Sequence, residues 1–237
     1  MKKTTETKAG ELEINTLYFE IFFSQLLKFK TGLYIRIPKA ASCSILEIVN
    51  RESTLLYHDG FMYHRKCPRL ASSAKKLYGD ARFDKLFKFS VVRNPFARAV
   101  SCWQYLTNHP EWNKLPHFEP TSFNEFCYKL VSTENDDKNH TYDTSCCNHY
   151  SWHTQPQFEH LYDSTGKLLI DYVGKVETLQ SDLDNILDRL ELPRRQIKNI
   201  NKTSHRHYTE YYDDETREII EKKYAKDIEY FGYEFGK

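Results

Sequence analysis

LYIRIPKAASCS, the stretch at residues 33–44, decides how this chain folds. Its apolar first half predicts a β-strand over about 33–37, and a helical pattern begins at Ser42 and continues to about residue 50. A loop between a strand and a helix can bind an anion, because its backbone N–H groups and the helix N-terminus point toward the ligand. Small side chains let the backbone approach that ligand closely, and Lys39 adds a positive charge. The stretch therefore predicts an anion-binding corner.

A second junction of the same kind follows further along the chain. The apolar run at 86–92 predicts a strand, Arg93 stands at its end, and a helix is predicted from Pro95 to about Leu106 because proline suits a first helical turn. Alternating strands and helices indicate a parallel sheet, and ligands bind such sheets at the carboxyl ends of the strands. The predicted fold class is α/β, with three layers and a central parallel sheet flanked by helices.

The rest of the pattern predicts one domain over residues 14–237, preceded by a flexible tail at 1–13. Ser122 and Glu125 have the spacing of a capping box at a helix start, and Asp213 or Asp214 is expected to cap the last helix. The other predicted segments are helices at 14–28, 69–78 and from Leu179 to Pro193, irregular chain at 53–66, a loop at 132–150, a third strand at 168–173, and a basic loop at 194–210.

Composition limits the classes of partner. The formal net charge of +1 over 237 residues gives no broad field for nucleic acid or anionic membrane, so neither is expected as a partner. The six cysteines lack the spacing of a zinc site, no metal is predicted, and Cys102 and Cys127 are expected in the core. No apolar stretch is long enough for a transmembrane segment or placed as a secretory signal, so a cytoplasmic chain with reduced thiols is expected. The sequence leaves the oligomeric state open.

At both corners the chain resembles sulfotransferases that use 3′-phosphoadenosine 5′-phosphosulfate (PAPS), of the carbohydrate type found among Golgi chondroitin and uronyl sulfotransferases, a family 2-like group. Residues 38–44 match that family's 5′-phosphosulfate loop, residues 92–101 match its 3′-phosphate motif, and the segments 170–179 and 224–233 agree as well. The resemblance implies a P-loop-like fold, PAPS as sulfate donor and no metal. The residues it assigns to the donor are Pro38, Lys39, Ala40, Ala41, Ser42, Cys43, Ser44, Arg93 and Ser101. Lys202 and Thr203 either close over the nucleotide or belong to an ordinary solvated loop.

Sulfuryl transfer needs charge stabilisation at the leaving oxygen and a base for the acceptor hydroxyl. Lys39 is predicted to neutralise the leaving phosphate. His64 lies between the two phosphate motifs, where members of the resembled family commonly carry a histidine, and it is the first candidate base, with His58 second.

The stretch around Trp152, His153 and Gln155 resembles the acceptor-binding segment of that family. The resemblance implies an acceptor hydroxyl on a carbohydrate or another small molecule. Trp152 either stacks on a sugar or anchors the core. Glu177 is expected to play a structural role, and Arg98 is expected at the surface or in an ion pair.

Two other functions are compatible with anion-binding corners. A P-loop kinase needs G-x-x-x-x-G-K-[ST] and an acid for magnesium, but the chain has no glycine between Gly32 and Gly60, and its second strand ends in Arg93. A catalytically inactive nucleotide-binding protein would keep Lys39 and Arg93 and differ only in its base and acceptor residues.

Overall fold

A computed structural model describes residues 31–49, 55–58, 70–108, 122–132, 149–197 and 206–237. The predicted tail at 1–13, the predicted helix at 14–28 and most of the predicted loop at 132–150 lie outside these residues. In the part of the chain that the model describes, no helix is long and apolar enough to cross a bilayer.

The sheet has four described strands, all parallel, in the spatial order β2-β1-β3-β4. The strands are β1 (Gly32–Ile35), β2 (Leu55–His58), β3 (Phe87–Val92) and β4 (Tyr172–Lys175). Ile35 pairs with His58, and Val92 pairs with Lys175. The carboxyl ends of the strands therefore lie along one edge of the sheet.

Helices lie at 42–49, 71–78, 95–108, 123–132 and 179–189, where the sequence predicts them. The predicted last helix is divided at Tyr224, and short helices that were not predicted lie at 80–83, 149–154 and 157–161. The helices are α1 (Ser42–Val49), α2 (Ala71–Tyr78), α3 (Asp80–Phe83), α4 (Pro95–Asn108), α5 (Phe123–Ser132), α6 (His149–Thr154), α7 (Gln157–Leu161), α8 (Leu179–Arg189), α9 (Asp214–Lys223) and α10 (Ala225–Phe231), with short 3-10 helices at Val176–Thr178 and Tyr208–Tyr211. The capping box of α5 is confirmed: the Glu125 N–H donates to Ser122 Oγ at 3.2 Å, and the Ser122 N–H donates to Glu125 Oε2 at 3.0 Å. Asp213 caps α9 by accepting from the Thr216 N–H at 2.8 Å.

Side chains of successive residues on β1 enter opposite layers, as the period of a strand requires. Leu33 and Ile35 pack with residues of α2, α3, α7 and α10, whereas Tyr34 packs with residues of α1 and α8. Helices therefore cover both faces of a central parallel sheet, which confirms the predicted three-layer α/β fold. Cys102 and Cys127 are buried, as expected.

Two local predictions are wrong. The segment 53–66, predicted as irregular, contains β2 at 55–58. A strand of four residues gives almost no periodic signal of its own, and pairing with β1 is what stabilises it. The third strand runs over 172–175 instead of 168–173, because Leu169 and Ile170 enter the core without joining the sheet and Leu168 forms an isolated antiparallel bridge with Tyr162.

Candidate active site

The first corner is the loop between β1 and α1. Lys39 and Ala41 have φ values of 65° and 55°, in the left-handed region that residues other than glycine seldom adopt. The Ala40 N–H donates to the Ile37 carbonyl at 3.5 Å, and α1 begins with the Ile45 N–H donating to the Ala41 carbonyl at 3.2 Å. The first amides of α1 precede its internal hydrogen bonds, so they are available to an anion. The loop is thus a tight turn that ends at a helix N-terminus.

The charge of this corner comes from Lys39. Its side chain is half-buried, and Nζ lies 4.2 Å from the centroid of the Tyr105 ring. Burial lowers the pKa of Lys39; nearby Arg93 and Arg36 lower it further, while the Cys102 and Cys43 thiols act in the opposite direction. A bound anion would relieve this excess of positive charge.

The second corner is Arg93, at the end of β3. Gln157 fixes its peptide groups from both sides: the Arg93 N–H donates to Gln157 Oε1 at 2.9 Å, and Gln157 Nε2 donates to the Arg93 carbonyl at 2.8 Å. The guanidinium Nη1 donates to the Lys39 carbonyl at 3.3 Å. Burial lowers the pKa of Arg93, and the Glu177 carboxylate acts against this. The two predicted anion corners are therefore in direct contact.

A buried carboxylate holds Gln157 in place. Asp227 accepts hydrogen bonds from the Gln157 N–H at 2.9 Å and the Phe158 N–H at 2.7 Å, so it caps α7. Burial raises the pKa of Asp227, whereas Arg98 and these hydrogen bonds lower it. Neither of these roles of Gln157 and Asp227 was predicted from the sequence. Their signal in the sequence was that Gln157 lies in the segment 152–157 and Asp227 in the segment 224–233, both of which resemble parts of that family.

Asn94 connects the second corner to the end of the chain. Its Nδ2 donates to the carbonyls of Glu234 and Lys237 at 3.0 and 3.1 Å, and its Oδ1 accepts from the Phe96 N–H at 3.0 Å. Glu177 accepts from the Asn94 N–H at 2.8 Å and from the Tyr233 hydroxyl at 3.1 Å. These contacts agree with the structural role expected of Glu177.

Arg98 was expected at the surface or in an ion pair, and the surface alternative is wrong. Its exposure is 1%, and its guanidinium donates to the carbonyls of Pro38, Gln155 and His153 at 3.0, 3.0 and 2.9 Å. Arginine is seldom fully buried. The burial is possible here because three carbonyls from two distant segments converge on its nitrogens.

The segment predicted to bind the acceptor lies beside the first corner. His153 is 5% exposed and stacks on Tyr105 with a centroid distance of 4.9 Å; the same Tyr105 ring contacts Lys39. Trp152 is buried, as expected if it anchors the core. The Arg36 guanidinium lies 5.2 Å from the centroid of the Trp152 ring. Gln155 Nε2 donates to Glu159 Oε2 at 3.0 Å. An acceptor role for these residues stays a prediction.

The other predicted residues are placed in part. Ser42 is buried, Ser44 is half-buried and Cys43 is exposed at the start of α1, and Ser101 is half-buried on α4. The backbone of His58 lies at the carboxyl end of β2, beside Ile35. His64, Lys202 and Thr203 lie outside the described residues. The described part of the chain contains no group of histidine, cysteine, aspartate or glutamate side chains that could hold a metal ion.

A parallel sheet whose carboxyl edge carries two cationic strand-to-helix corners is typical of enzymes that bind nucleotides by their phosphate groups. A family model described as "Sulfotransferase family" matches residues 30–234, which include both corners and the tail. The chain therefore belongs to the sulfotransferase family and is a transferase. No curated protein and no solved structure gave a significant match to the chain.

Proposed function

We propose that this enzyme transfers a sulfuryl group from PAPS to an acceptor hydroxyl, and that the acceptor is a carbohydrate. The observation that carries the proposal is the hydrogen bond from Arg93 to the Lys39 carbonyl, which joins the two anion corners. Adjacent corners suit a nucleotide that carries phosphate groups on both its 3′ and 5′ positions.

The residues present fit such a donor. Burial lowers the pKa of both Lys39 and Arg93. Repulsion from Arg93 and Arg36 lowers the pKa of Lys39 further, and repulsion from Arg98 lowers that of Arg93, so this edge of the sheet favours an anion. In the proposal, residues 38–44 hold the 5′ side and Arg93 with Ser101 holds the 3′-phosphate. Arginine suits a phosphate because its planar guanidinium can donate two parallel hydrogen bonds. Lys202 and Thr203 are proposed to close over the nucleotide.

The donor, once bound, supplies an activated sulfuryl group. The task of Lys39 is to neutralise the negative charge that develops on the leaving phosphate oxygen, and its half-buried position strengthens this interaction relative to water. His64, or else His58, accepts the proton of the acceptor hydroxyl. We propose that no metal takes part, because Lys39, Arg93 and Arg36 together supply the positive charge of the site.

The acceptor is proposed to bind beside Trp152, His153 and Gln155. This segment reaches the first corner through Tyr105, whose ring contacts both Lys39 and His153. An acceptor placed here would be next to the group that stabilises the leaving oxygen. Trp152 and His153 are buried and Tyr105 is half-buried, so Tyr105 is the ring of these three with surface left for a sugar.

Calorimetry with 3′-phosphoadenosine 5′-phosphate, the product nucleotide, tests the donor. We expect binding in the presence of a chelator and a higher melting temperature of the complex by mass action. Binding of ATP with magnesium, together with no binding of the product nucleotide, would contradict the proposal. Transfer of labelled sulfate to a panel of sugars, phenols and lipids then tests the acceptor class.

A further inference from the structure

Arg98 connects parts of the site that are far apart in sequence. Its Nε donates to Pro38 in the first corner, while Nη1 and Nη2 donate to Gln155 and His153 in the segment proposed to bind the acceptor. Arg98 itself lies on α4, which begins immediately after the second corner. Arg98 thus contacts the first corner and the segment proposed to bind the acceptor, from a helix that begins at the second corner.

These hydrogen bonds bear directly on Lys39. Arg98 binds the carbonyl before Lys39, and Arg93 binds the carbonyl of Lys39 itself, at 3.0 and 3.3 Å. Lys39 has a φ of 65°, in the left-handed region that is unfavourable for a residue with a side chain. Such a conformation persists only where its surroundings fix it. Both peptide groups that flank the Lys39 Cα are held by arginines.

The charge and shape of Arg98 suit this role. A buried guanidinium is costly unless its nitrogens are hydrogen-bonded, and each of its three nitrogens donates here. Burial raises the pKa of the Asp227 carboxyl, and the positive charge of Arg98 acts against this. Lysine would keep the charge, but a single ammonium cannot reproduce the planar fork.

We propose that Arg98 is a positioning residue that fixes the Lys39 backbone against the segment 153–155, so that the proposed donor and acceptor sites keep one relative geometry. Its effect on turnover rests on the proposed function. Its bracing of the loop does not rest on the proposed function, and it can be measured without any substrate.

The test compares Arg98→Lys with Leu130→Ala. Leu130 is a buried residue of α5, which contributes nothing to the site, so its variant controls for general destabilisation. Below both melting temperatures, we expect Arg98→Lys to lower kcat by about 100-fold, the cost of a misplacement of about 1 Å, and to weaken product-nucleotide binding less. Hydrogen exchange of peptides covering 37–46 and 152–157 should speed up in Arg98→Lys only. Near-normal kcat and unchanged exchange in Arg98→Lys would show that its charge alone matters and would overturn the proposal.

If Arg98→Lys does not fold, hydrogen exchange in the unmodified chain tests whether Arg98 braces the loop. With rising denaturant, the proposal requires peptides 37–46 and 152–157 to open together, with one free energy of opening, because one side chain ties them. Separate opening would overturn it. If the unmodified chain fails to bind the product nucleotide, the proposed function is wrong, and the exchange results still decide the role of Arg98.

Discussion

The guanidinium of Arg93 donates a hydrogen bond to the main-chain carbonyl of Lys39 at 3.3 Å. The two residues belong to different strand-to-helix junctions, and the contact makes one site of two loops. Under the proposed function Arg93 therefore has two tasks: it binds a phosphate of the donor, and it supports the loop that carries Lys39.

Arg93→Ala is expected to weaken binding of the product nucleotide by roughly tens of fold or more, because a hydrogen bond to a charged group contributes about 1.5–3 kcal/mol. Calorimetry measures this affinity directly. Arg217→Ala is the matched control, since Arg217 lies on α9 and pairs with Glu221 at 2.8 Å. An affinity unchanged in Arg93→Ala would remove Arg93 from the donor site.

Lys39→Ala is expected to show a different pattern. In the proposed reaction the negative charge opposite Lys39 grows, so loss of the Lys39 ammonium should lower kcat more than it lowers product-nucleotide affinity. Single-turnover measurements separate these two effects. Equal losses of both quantities, as in a plain binding residue, would contradict the division of roles between the corners.

The fold was predictable because its signals are local. Apolar runs that stop at Pro38 and Arg93 marked two strand ends, and capping residues such as Ser122 and Asp213 marked helix starts. Lys39 and Arg93 were predicted to lie close together because a parallel sheet places the carboxyl ends of its strands at one edge.

The supporting contacts were not predictable in the same way. Arg98 was expected at the surface or in an ion pair, but it is buried, and its burial depends on carbonyls of residues 38, 153 and 155. Gln157 binds Arg93 across 64 residues of sequence, and Asp227 binds Gln157 across a further 70. Such partners are set by tertiary packing, which hydrophobic periodicity does not report.

Nucleotide binding is expected to take up protons at alkaline pH. In the free enzyme burial lowers the pKa of Lys39, and a bound phosphate would favour the ammonium and raise that pKa again. Between the free and bound pKa values, Lys39 is neutral before binding and charged after it, so affinity falls as pH rises through this window. Calorimetry in buffers of different ionisation enthalpy, above the phosphate pKa of about 6, measures the uptake. Lys39→Ala should abolish it, and an uptake that persists in this variant would assign the titration to another group.

The general base is tested by replacing the two candidate histidines. His64→Ala is expected to leave product-nucleotide binding near normal and to lower turnover by on the order of 10²–10⁴. The unmodified enzyme should become faster as pH rises through the imidazole pKa, because only neutral imidazole accepts the hydroxyl proton. That rise should be absent in His64→Ala.

His58→Ala is the matched control, and its position makes it a strict one. The backbone of His58 lies at the carboxyl end of β2, beside Ile35 and the start of the first corner, so it is at the edge of the sheet where chemistry is proposed. If His64 is the base, His58→Ala should retain most turnover and the same pH profile. Loss of turnover and of the pH-dependent rise in His58→Ala, with His64→Ala active, would assign the base to His58. If both variants keep the rise, His153 is the next to replace, because its ring stacks on the Tyr105 ring that contacts Lys39.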